Sequence, residues 1–162
     1  QLRKIMAYSS IAHMGWMTAA MIYNPSAMMF NLFIYILLTL TVFITLNTIL
    51  TTTTTSLASS WNTYPLASLT LLISLLSLGG LPPLTGFLPK WYIIQELVFN
   101  NMTMTALVMT MTALLNLYFY IRLIYSTSMT MFPTTNMNKL NWLIKPEYKT
   151  SMIPTLLMLS SF

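Results

Sequence analysis

Four long apolar runs, each closed by a short polar or proline-containing stretch, dominate the chain. The first reaches from about Ile5 to Ile22 and stops at Tyr23-Asn24-Pro25-Ser26, a turn sequence in which Pro sets φ and Asn tolerates unusual backbone angles. The second covers about Ala27 to Leu50. A threonine-rich, low-complexity loop follows from Thr51 to Asn62, and Trp61 and Tyr64 suit the aromatic belt of a membrane interface. The third run spans about Pro65 to Phe99 and the fourth about Met102 to Tyr125. A polar loop occupies 126–151, and a further apolar stretch, Met152 to Phe162, begins after it without reaching the length of a span. About 20 apolar residues cross the roughly 30 Å hydrocarbon core. The pattern therefore predicts an all-α, polytopic membrane helix bundle forming one membrane domain over 1–162.

The third run is too long for a single straight span. An unbroken helix over Tyr64 to Phe99 would measure about 54 Å at 1.5 Å per residue. Its middle reads Gly79-Gly80-Leu81-Pro82-Pro83, with Gly86 and Pro89 beyond. Two adjacent prolines remove backbone donors and crowd the preceding turn, while glycines ease an irregular backbone. We expect one discontinuous transmembrane helix, broken near 79–83.

Composition sharpens this picture. Of the 162 residues, 56% are hydrophobic and 6% charged, against about a quarter charged in a soluble domain. From Ile5 to Pro89 there is no Asp, Glu, Lys or Arg, which excludes a water-facing surface of ordinary kind. The net charge of +5 sits at the ends of apolar runs instead of clustering on one face, so nucleic acid is not an expected partner. With no Cys and one His, the chain has no ligand set for an iron–sulfur cluster, haem or metal. Its four glycines form neither a dinucleotide fingerprint nor a P-loop, so no NADH or ATP site is expected. The opening Gln1-Leu2-Arg3-Lys4 lacks an initiator Met, and both ends read as cut, as in a fragment of a longer protein.

Charge asymmetry then sets orientation. Arg3 and Lys4 precede the first run, while Lys139, Lys145 and Lys149 follow the fourth. If the third run crosses once, all five lie on one side; if it crossed twice they would be divided, against the positive-inside tendency. The shared side is expected to be the matrix or cytoplasm, with Arg122 snorkelling toward it.

Few side chains could carry chemistry. Lys90, in Pro89-Lys90-Trp91-Tyr92, reads either as an interfacial anchor or, if the break draws it inward, as an intramembrane ionisable group with a functional role. A buried Lys of that kind can hold and release a proton. Glu96 lies six residues on, too far round a helix to pair with Lys90; it is an interfacial carboxylate or a relay. His13 reads as a hydrogen-bonded core group or a relay, being the one side chain here that titrates near neutrality when unperturbed. Ala12, Gly15 and Ala19 form a small-residue face suited to close helix packing. Thr41, Thr45 and Thr48, and Thr105, Thr112 and Asn116, follow helical spacing and suit either an internal polar path or interhelical hydrogen bonds.

The stretch from Gln1 to Trp16, QLRKIMAYSSIAHMGW, resembles the chain 2 family of mitochondrial NADH:ubiquinone oxidoreductase in its mammalian form. So do Ser77 to Trp91, SLGGLPPLTGFLPKW, and Leu114 to Tyr120 with Ile124 to Ser128. The likeness covers nearly the whole chain, with Thr51 to Ser60 and Asn136 to Thr150 the freely variable parts, and fits the C-terminal half of such a protein. It implies a complex I membrane-arm subunit related to cation/proton antiporters, with two inverted five-helix repeats that each carry a broken helix and a buried Lys. The four runs would be four helices of the second repeat. Lys90 would be its buried Lys, contributing to proton translocation coupled to electron transfer from NADH to ubiquinone. The same resemblance implies other membrane-arm and accessory subunits and the lipid bilayer as partners, and the mitochondrial inner membrane as location. The Arg3/Lys4 end and the 126–151 loop would face the matrix, with no cofactor on this chain. An independent cation/proton antiporter subunit, or a purely structural membrane subunit in which Lys90 only anchors, are the competing readings.

Overall fold

The computed structural model describes residues 1–61 and 64–129, so most of the polar loop and the final apolar stretch expected at 152–162 lie outside the described residues. Six helices follow in order: α1 Leu2–Tyr23, α2 Pro25–Ile49, α3 Thr54–Ser60, α4 Pro65–Gly79, α5 Phe87–Phe99 and α6 Thr103–Met129. No strand occurs among the described residues.

Local chemistry places most of the boundaries. Asn24 ends α1 in extended backbone and its side chain accepts from the Ser26 backbone N–H at 3.0 Å, capping α2, which carries Pro25 in its first turn where a missing N–H does no harm. Leu50 closes α2 in the left-handed region, at φ 56°. The Thr-rich stretch, expected to be loop, contains α3. A capping box explains it: Thr53 and Ser56 each accept the other's backbone N–H through their side-chain oxygens, at 3.3 and 3.2 Å. Gly80 ends α4 at φ 86°, a conformation that glycine adopts without strain.

The helices share two apolar clusters stacked along the bundle. In one, Leu2 and Met6 of α1 meet Leu38, Val42 and Ile49 of α2, Leu71, Leu75 and Leu78 of α4, and Tyr120 and Leu123 of α6. In the other, Trp16 and Ala20 of α1 meet Ala27 of α2, Ile93 and Leu97 of α5, and Ala106 of α6. Helices α1, α2 and α6 thus run through both halves, whereas α4 fills one and α5 the other. At 1.5 Å per residue α4 and α5 are only about 22 and 20 Å long, and each covers about half the depth of its neighbours. Leu2 N–H donates to the Thr52 carbonyl at 3.1 Å, tying the start of α1 to the α2–α3 connection at the same end.

The distribution of polarity is inverted relative to a soluble bundle. Phe30, Phe33 and Phe43 of α2 and Met111, Leu115 and Phe119 of α6 are exposed, while Ser9, His13, Asn31, Thr41, Thr45, Ser74, Ser77 and Lys90 are buried. Helices α2 and α6 are long and apolar enough to cross a membrane. Between helices in lipid, contact gains come from dispersion and hydrogen bonding more than from expelling water, since acyl chains are as apolar as Leu. Buried hydroxyls suit such a medium. Thr41, Thr45, Ser74 and Ser77 each donate to the carbonyl three residues earlier, at 2.7–2.9 Å, so these four hydroxyls are satisfied.

Candidate functional site

The site is built where α4 stops. A helical carbonyl is normally taken by the N–H four residues on. For the Leu78 and Gly79 carbonyls those positions are Pro82 and Pro83, which have no N–H. Two adjacent acceptors at the end of α4 are therefore left open by the covalent structure itself. The chain meanwhile turns at Gly80, where the backbone N–H bonds the Ser77 and Leu76 carbonyls and Leu81 N–H bonds Leu76, and it folds back through 81–86.

Lys90 supplies the missing donors. It stands in the first turn of α5, and its Nζ donates to the Leu78 and Gly79 carbonyls, both at 3.0 Å. The side chain is 7% exposed. Three close approaches shape its surroundings. A Cβ at Gly80 would lie 3.0 Å from Nζ and 3.1 Å from Cδ of Lys90; one at Gly86 would overlap the Ser77 carbonyl; one at Gly79 would lie 2.7 Å from Cδ1 of Leu117 and 3.4 Å from Tyr120. The three glycines respectively admit the Lys stem, let the connecting loop lie on α4, and bring α6 against the break.

Lys90 lines, with Ala12, His13 and Trp16 of α1, Leu78 of α4, and Asn116 and Tyr120 of α6, a crevice too tight to admit a water molecule. His13 is 8% exposed, its ring lies 4.6 Å from that of Tyr35 on α2 at 32°, and its Nδ1 has no hydrogen-bond partner. The fold thus brings His13 and Lys90, 77 positions apart in sequence, to one buried locus. Asn31, one turn before Tyr35 on α2, is also buried, with Nδ2 unpartnered. Unpartnered polar groups of this kind are uncommon in folded proteins.

The other sequence candidates fall elsewhere. Glu96 is half-buried on α5, roughly 9 Å further along the axis than Lys90. Pro89 is buried at the start of α5, and Pro82 and Pro83 are exposed in the connection. The Ala12, Gly15 and Ala19 face is not covered by any described helix at its centre: a methyl added at Gly15 would meet nothing within 4 Å, and Gly15 and Ala19 line an open groove of about 530 Å³ between α1, α5 and α6. Thr105 and Thr112 are exposed, whereas Thr41 and Thr45 point inward. Sequence reading missed Tyr35, Tyr120, Ser74 and Ser77. The two serines lie one turn apart just before the Gly-Gly break, a spacing that could have flagged them.

Comparison with known proteins adds to this geometry. Residues 1–116 match the family model described as NADH:quinone oxidoreductase/Mrp antiporter, TM, and residues 117–162 match that of the NADH dehydrogenase subunit 2 C-terminus. Relatives named NADH-ubiquinone oxidoreductase chain 2 are similar over 161 residues, 99% of this chain: 60% identical in Syconycteris australis, 60% in Dasypus novemcinctus and 54% in Ovis aries. The chain spans about half the length of these relatives, 46% of each. With an all-helical bundle, apolar outer faces and a family match over most of its length, the chain belongs to the transmembrane NADH:quinone oxidoreductase/Mrp antiporter family.

Proposed function

We propose that this chain forms part of the membrane arm of a proton-translocating NADH:ubiquinone oxidoreductase in the mitochondrial inner membrane, and that Lys90 carries protons there. The observation that bears most weight is the seat of Lys90: a buried amine on two carbonyls at the end of a half-length helix. An ammonium has three N–H donors and a neutral amine two with a lone pair. Two carbonyls therefore satisfy both forms, and the third position on Nζ is left for proton exchange. Moving one charge against 100 mV costs about 2.3 kcal/mol, a shift that rearranged partners around a buried amine can supply. His13 acts as the relay beside it, and Glu96 as a carboxylate nearer the far end of α5.

In this reading α4 and α5 form one broken span, lipid covers the apolar faces of α2 and α6, and other membrane-arm and accessory subunits cover further surface. The Arg3/Lys4 end faces the matrix. The chain bears neither redox centre nor NADH site of its own; electron transfer elsewhere in the assembly drives changes of charge and hydration around Lys90. The relatives' printed name and the family match support this reading.

The test is made in the full-length polypeptide within its assembled, reconstituted complex. Lys90→Met keeps most of the stem and removes the charge; Lys90→Arg keeps a charge that stays at any physiological pH. Both are expected to lower turnover and proton yield together at equal assembly. Unchanged turnover and proton-to-electron ratio in both variants would leave Lys90 as an anchor and remove the carrier role.

A further inference from the structure

The pair of carbonyls under Lys90 has a property beyond proton carriage. They are not merely free because a helix ends; Pro82 and Pro83 occupy the two positions whose N–H groups would otherwise have taken them. The connecting loop lies close on α4, with no room for a Cβ at Gly86 beside the Ser77 carbonyl, and its Leu84, Phe87 and Leu88 N–H groups are taken by the Leu81, Leu84 and Thr85 carbonyls. Gly80 leaves the flank open where a side chain would stand 3.0 Å from Nζ. The oxygens lie at a helix C-terminus, where aligned peptide dipoles favour a cation. The result is a preformed cup whose shape and charge are set by backbone, and Lys90 fills it with the end of a flexible stem.

We propose that the end of α4, formed by the Leu78 and Gly79 carbonyls and walled by Gly80, is a binding site for a small primary ammonium ion, which Lys90 occupies as a tethered ligand. The site belongs to the backbone and survives removal of the Lys. It accepts N–H donors in about the positions that Nζ holds now, and it rejects cations without N–H groups or with bulk at nitrogen. Strength should be modest: two charge-assisted hydrogen bonds in a site of this size correspond to half-saturation on the order of 1–10 mM.

Lys90→Ala removes Cγ, Cδ, Cε and Nζ, and n-propylammonium replaces those atoms one for one. The experiment measures binding of radiolabelled n-propylammonium to the assembled complex carrying Lys90→Ala, by equilibrium dialysis, against Lys90→Met, whose side chain still fills the stem's path, and with tetramethylammonium as competitor. The expected result is saturable binding of one ion per chain in Lys90→Ala, none above background in Lys90→Met, and no displacement by tetramethylammonium. Adding Gly80→Ala to Lys90→Ala should weaken binding about tenfold or more. If Lys90→Ala does not assemble unaided, the readout becomes assembly itself: n-propylammonium in the medium restores the complex and tetramethylammonium does not. Absence of specific binding, or of restored assembly where that is the readout, overturns the site. Recovery of proton yield on adding n-propylammonium tests the carrier role separately, since an ion can occupy the cup whether or not Lys90 carries protons.

Discussion

Gly86 lies so close to the backbone carbonyl of Ser77 that a Cβ at position 86 would overlap that oxygen. The obstacle is main chain and cannot rotate away. Gly86→Ala must therefore push the connecting loop off α4 and carry Lys90 with it. The expected loss is on the order of 3 kcal/mol, in the range of severe steric substitutions, read as lower yield and lower melting temperature of the assembled complex. Gly15→Ala is the contrast, having nothing within 4 Å and a gain in helix propensity of roughly 0.5–1 kcal/mol. A loss from Gly15→Ala as large as that from Gly86→Ala would show that the groove beside α1 is filled in the assembly.

Gly79 and Gly80 are neighbours with different tasks, and their alanine variants should separate. At Gly79 the added methyl meets the end of the Leu117 side chain, which can change rotamer, so stability falls modestly and turnover holds. At Gly80 it meets the Lys90 stem from a backbone at φ 86°, which costs about 1–2 kcal/mol in itself. Gly80→Ala is expected to lower turnover about tenfold at equal assembly. Equal turnover of the two variants would sink the assignment of Gly80 to the Lys90 seat.

His13 separates relay from packing. His13→Gln keeps a polar group near the crevice but titrates nowhere near neutrality, and His13→Phe keeps the ring beside Tyr35. If His13 relays protons, both variants lower proton pumping several-fold while assembly is retained. Full pumping by His13→Phe would reduce His13 to a ring that packs on Tyr35.

If α4 and α5 together make one crossing, as proposed, that crossing dictates which ends share a side. Cysteines placed at Lys4 and Thr55 are expected to react with an impermeant maleimide from the matrix face, and cysteines at Ser26 and Asn101 from the opposite face, in sealed vesicles of either orientation. Reaction of Thr55 and Asn101 positions from one face would mean that the α4–α5 unit enters and leaves on the same side.

Much of the fold can be read from sequence because lipid removes alternatives. A long apolar run without charge must satisfy its backbone internally, so the runs now seen as α1, α2 and α6 could only be helices, and Asn24-Pro25 could only interrupt them. That α4 must stop near Gly79 was legible for the same local reason: Pro82, Pro83 and the glycines cannot continue a helix whatever surrounds them. The α3 helix was not legible, since seven residues of Thr, Ser, Leu and Ala have weak preference until the reciprocal Thr53 and Ser56 bonds close.

Which residues meet at the break is another matter. Sequence alone left Lys90 between an interfacial anchor and a buried group, because the rise of one residue past a proline pair depends on where the chain turns. Only the tertiary structure returns the loop onto Ser77, directs Nζ to Leu78 and Gly79, and brings His13, Asn116 and Tyr120 from two other helices to the same crevice. Local rules fix where a helix must stop. They are silent on which distant donor takes the carbonyls left behind, because that choice is made by the packing of α1, α2 and α6 around the gap.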